Sequence, residues 1–67
     1  VTIDNNSEWV VTKDSTINVL TVSDSKNFET HVKDREDREV KIVDVNGNLL
    51  RDGESDIKIT VSELKLQ

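Results

Sequence analysis

The sequence predicts an all-β protein, and three observations carry that reading. Val, Ile and Thr, whose branched Cβ suits a pleated surface better than a helix, supply 21 of the 67 residues. Ala, Met and Tyr are absent, and the five Leu are outnumbered threefold by Val plus Ile. Short runs that alternate apolar and polar residues are separated by clusters of Asn, Asp, Ser and Gly. Val, Ile, Leu and Phe make up about 31% of the chain, above the roughly 20% below which chains tend to stay disordered.

Residues 1–4 (V-T-I-D) alternate as a short strand, and Asn5-Asn6-Ser7 is a turn cluster. Residues 8–13 (E-W-V-V-T-K) form a second strand, closed by Asp14-Ser15. Residues 16–23 (T-I-N-V-L-T-V-S) are the third and richest. Residues 40–45 (V-K-I-V-D-V) run into Asn46-Gly47, the strongest short hairpin signal, because both residues tolerate the positive φ of a type I′ turn. Residues 48–51 return as a strand, Asp52-Gly53-Glu54-Ser55 turns, and 56–66 (D-I-K-I-T-V-S-E-L-K-L) closes the chain.

The alternation shifts parity in three strands. Ile57, Ile59 and Val61 are followed by Leu64 and Leu66, Ile17 and Val19 by Leu20 and Val22, and Val40 and Ile42 by Val43 and Val45. A straight strand would send each second set to the other face. Either both faces are buried, or the chain bends through a bulge or arc at each switch. Repeated corners suit a β-solenoid cap or a small barrel or sandwich better than a flat sheet.

The polar stretch 24–39 admits two readings. As strand plus loop, 28–33 places Phe28, Thr30 and Val32 inward, and the charged run 33–39 is solvated. As a helix over 25–38, Asp24 is the N-cap, Phe28 and Val32 form the buried stripe, and Asp34–Arg38 is an i,i+4 pair. The helix would make the order ββαβββ, a small grasp-like α+β fold.

Size, charge and composition exclude several classes. The length of the chain predicts a single small domain over 1–67, or only part of a larger one. A chain this short buries only about 60% of its unfolded surface, so help from a neighbour is expected. A net charge of −5 argues against a nucleic-acid partner or an anionic membrane, since both repel it. No apolar run approaches the roughly 20 residues of a membrane-spanning helix. With no Cys there is no disulfide, thiolate metal site or thiol redox chemistry.

Candidate chemistry is sparse. His31 is the only histidine. No serine sits in a Gly-x-Ser-x-Gly turn, so a Ser–His–Asp site has no oxyanion loop. Carboxylates are plentiful, but one Trp and no Tyr hardly build a sugar-gripping cleft. The stretch 44–48 (D-V-N-G-N) looks superficially like a calcium loop. Its Gly is fourth where an EF-hand needs it sixth, and the twelfth position is Ser55 rather than Glu. Trp9 reads as core or interface packing. Asn5-Asn6-Ser7 has N-glycosylation spacing. Lys13, Lys41 and Lys58 lie on expected strands near asparagines, which raises a Lys–Asn isopeptide crosslink; the unmodified mass is expected. No residue is assigned as catalytic, cofactor-binding or metal-ligating, and no cofactor is expected.

Residues 7–22 (S-E-W-V-V-T-K-D-S-T-I-N-V-L-T-V) follow S-x-W-x-V-T-x-D-S-x-apolar-x-x-L-x-apolar. That pattern resembles the late rungs of right-handed parallel β-helix surface proteins, such as autotransporter passenger and pectin-lyase-like bacterial proteins. The ending 40–66, with Asn46-Gly47 and then G-E-S-D-I-K-I-T-V, is similar to the closing hairpins of such helices. The resemblance implies a C-terminal rung-and-cap segment, secreted or surface-exposed and non-catalytic, with Trp9 packed on the rung below and Asp14-Ser15 turning the coil. A rung cannot bury its apolar face alone. The expected partner is therefore the rest of a larger β-helix, or a protein or glycan surface bound through shape and acidic patches. The expected function is that of a structural and adhesive module at the cell surface; the alternative is a grasp-like protein-interaction module within a larger assembly.

Overall fold

The computed structural model describes all residues from Val1 to Gln67. Strands take 49% of the chain and helical turns 10%. The elements are β1 (Thr2–Ile3), β2 (Trp9–Val11), β3 (Ser15–Val22), a 3-10 turn (Ser25–Asn27), α1 (Phe28–His31), β4 (Val32–Asp34), β5 (Lys41–Asp44), β6 (Leu49–Arg51) and β7 (Lys58–Leu66). No helix is long and apolar enough to cross a membrane.

Two sheets form. The larger has the order β1-β3-β7-β5-β6, in which all neighbours are parallel except the β5–β6 hairpin. The smaller pairs β2 with β4, also parallel, with Trp9 beside Val32 and Val11 beside Asp34. The last strand thus inserts between β3 and β5 rather than adding to an edge.

Ten buried apolar side chains make one contiguous core, drawn from α1 and every strand except β6, together with Val40 just before β5. Phe28 is its largest member, and the Arg51 guanidinium lies 4.3 Å over the Phe28 ring. Such a stack contributes about 0.5–2 kcal/mol.

The parity shifts have a physical account. The β3–β7 ladder keeps one register from Ser15↔Ile59 to Val22↔Leu66, with no bulge. Leu20 and Leu64 face each other directly across it, so the shift falls at the same level in both strands. Ile59 and Val61 before the shift, and Leu20 and Val22 after it, all belong to the one core. Residues of both parities along this pair of strands therefore reach the one core. Around β5 only Val40, just before it, and Ile42 enter the core, and Val45 is exposed in the turn. A bulge does occur, but in β6: Ile42 faces Arg51 and Val43 faces Leu49, which leaves Leu50 unmatched.

The hairpin at Asn46-Gly47 is present, with a different turn from the expected one. A type I′ turn needs positive φ at two successive residues. Only Gly47 has it, at 84°. The Gly47 N–H donates to Asp44 O at 3.0 Å and the Asp44 N–H to Asn48 O at 2.9 Å. That is a four-residue turn followed by a left-handed Gly, the bulged hairpin.

Residues 24–39 divide between the two readings. The 3-10 turn and α1 end at His31; Val32 turns extended (φ −133, ψ 111) and joins β2. Asp34 and Arg38 do pair, at 2.9 Å, but across a tight turn rather than along a helix.

Candidate functional site

Aspartates lead four of the turns in the first 48 residues. The backbone carbonyls of Asp4, Asp24, Asp34 and Asp44 each accept the N–H three residues on, from Ser7, Asn27, Asp37 and Gly47. Short polar side chains favour this role because they hydrogen-bond the main chain just ahead of them. Asp34 and Asp44 build the same set in full. Asp34 Oδ1 accepts Glu36 N at 2.8 Å and Arg38 N at 2.9 Å; Asp44 Oδ1 accepts Asn46 N and Asn48 N, both at 2.9 Å. Their Oδ2 atoms take side-chain donors, Arg38 Nε and Asn48 Nδ2. Asp37 at φ 62 holds the left-handed position that Gly47 holds in the second turn. With Asp14, whose Oδ1 accepts Lys58 N at 3.1 Å, these residues stand ten apart along the chain. Sequence reasoning overlooked that spacing, which is the signal that would have found them.

Around His31 two of these turns meet. Its side chain is only 8% exposed. Nδ1 lies 2.6 Å from the Ser7 carbonyl oxygen and Nε2 3.1 Å from Asp24 Oδ2. Both partners only accept, so both ring nitrogens donate when the imidazole is doubly protonated. The Ser7 carbonyl first, and then Asp24, raise the His31 pKa above 6.5 against the opposing effect of burial. Hydrogen bonds from Asn27 and His31 hold the Asp24 carboxyl below its usual range. His31 therefore clasps the first turn to the helical turn.

Beside the clasp is an open recess of about 300 Å³ lined by Asn5, Asn6, Ser7, Glu8, Thr30 and His31, none of them apolar. Ser7 Oγ donates to Asp4 Oδ1 at 2.8 Å, while Glu8 meets Lys33 at 3.3 Å. Nδ1, the His31 nitrogen that does not face Asp24, lies on a main-chain carbonyl, so the imidazole is not aligned to take a proton from a serine hydroxyl. What the recess offers is amide, hydroxyl and carboxylate groups for hydrogen bonding to a polar ligand.

Of the other singled-out residues, Trp9 is half-buried and packs against the core. Lys41 Nζ donates to the Ser55 carbonyl, and Lys13 and Lys58 are exposed. The Asp44 oxygens, in the stretch that looks superficially like a calcium loop, are engaged by their own turn. No group of three or more His, Cys, Asp or Glu side chains is placed to hold a metal ion.

Comparison with protein-family models, curated proteins and solved structures returns no match.

Proposed function

We propose that the chain is a non-catalytic structural and adhesive module of an extracellular bacterial surface protein, the closing segment of a parallel coiled β-structure. The observation that supports this is the polarity of its strand pairing. β1 stacks on β3 and β2 on β4, both parallel, as two successive turns of one coil would. β1 and β2 keep their outer edges free, while the other end of the large sheet is finished by the antiparallel β5–β6 hairpin. A free parallel edge accepts a further strand, and the antiparallel hairpin ends the run of parallel pairings on the other side. The pattern in residues 7–22 points the same way.

The adhesive contact in this reading is the polar recess. The test is binding of the intact chain to immobilised glycans and extracellular-matrix proteins, beside Asn6→Ala. Binding that the variant loses is expected; no binding to any member of the panel overturns the adhesive assignment.

The alternative, a grasp-like interaction module, is supported by α1, which seats the fully buried Phe28 on the core.

A further inference from the structure

The second half of β7 has a partner strand on one side only. β3 runs beside it along its whole length, to Val22↔Leu66. On the other side β5 stops at Asp44↔Val61, where the chain turns back into the hairpin. Residues 62–66 (S-E-L-K-L) therefore present a free edge, with Ser62, Glu63, Lys65 and Leu66 exposed and Leu64 half-buried. Such an edge is a template for pairing with another chain.

We propose that this edge is a homodimer interface, in which residues 62–66 of two copies pair antiparallel about a two-fold axis at Leu64. The charges decide both the occupant and the register. Centred on Leu64, Glu63 of each copy faces Lys65 of the other, and Ser62 faces Leu66. Centring on Glu63 or on Lys65 would set like charges face to face, which destabilises a cross-strand pair. A two-fold contact must complement itself, and S-E-L-K-L does so in charge. The outer edge of β6, Leu49-Leu50-Arg51, has no acidic residue to complement its Arg. Within one chain Glu63 and Lys65 already lie on the same face, 3.9 Å apart. That exposed pair contributes little, so exchanging it for two intermolecular pairs costs little. The inference is independent of the function proposed above.

The test is analytical ultracentrifugation of wild type, Glu63→Lys, Lys65→Glu and an equimolar mixture of the two variants. Wild type is expected to dimerise with concentration, and each variant alone to be monomeric with an unchanged far-UV spectrum. The mixture should recover the dimer, because every cross-strand pair in the heterodimer is again of opposite charge. An ion pair that acts only within one chain cannot be restored by mixing. In wild type, amide exchange at residues 62–66 should slow as concentration rises, a readout that needs no variant. A monomeric wild type, a mixture that stays monomeric, or exchange at 62–66 indifferent to concentration overturns the proposal.

Discussion

Asp34 is 2% exposed although it carries a charge. Burial works against its ionisation, but the Arg38 N–H, the Ser55 hydroxyl, the Glu36 N–H and the Arg38 guanidinium together bring its pKa to about 2 from 3.8. A depressed carboxyl pKa stabilises the fold fully above the unfolded value. That contribution is lost as pH falls from 3.8 towards about 2. Thermal melting across this range should fall steeply for wild type, and Asp34→Asn should melt lower at neutral pH with a flatter acid limb. The opposite sign holds at His31. Its raised pKa stabilises fully below 6.5 and loses that contribution as pH rises through the folded value above it. An NMR titration of the imidazole is expected to show its midpoint above 6.5; a midpoint at or below it would refute the clasp. Neither role was legible locally. Asp34 stood in a run read as a solvated loop, beside Glu36 and Asp37 of similar chemistry. One of the donors that hold it ionised is the Ser55 hydroxyl, which arrives from far along the chain.

At the scale of elements, turns and strands were legible where the signal is local, as in the Asn46-Gly47 hairpin and the β3 and β7 runs. Residues 28–34 were not, because local helical pairing competes with a ladder to β2 that is distant in sequence. The ladder prevails after His31, so Phe28 is buried from a helical turn and Val32 from a strand. The segment between β6 and β7 adds a second kind of constraint. Gly53 passes directly over the main chain, and a Cβ there would lie 2.7 Å from the Glu39 carbonyl carbon and 2.9 Å from that of Val40. Neither atom can yield without moving the strand entry. Gly53→Ala should therefore destabilise by about 1–3 kcal/mol, the range for overpacking. Gly47→Ala meets open space and should cost about 1–2 kcal/mol, through the left-handed backbone alone. Urea unfolding of both variants checks the pair. A Gly53→Ala protein as stable as wild type would show that the segment can lift away.

For the molecule as a whole, the strand-rich class was legible from composition, whereas the short helical turn and the sheet order were not. No local signal announces that β7 inserts between β3 and β5, since parallel partners need no shared turn and their pairing spans much of the chain. That insertion has a consequence for the two ends. Val1 donates its amino nitrogen to Val19 O at 2.6 Å, and Gln67 its N–H to Val22 O at 3.0 Å. β1 and β7 flank β3, so the ends emerge at the same end of one sheet, three residues apart in level and two strand spacings apart in width. About six Gly/Ser residues bridge such a gap. Joining the ends that way and reopening the backbone between Asn46 and Gly47 should yield a circular permutant that melts close to its parent, as calorimetry would show. A unit with adjoining ends can also be spliced into a loop of a host protein without pulling the host apart.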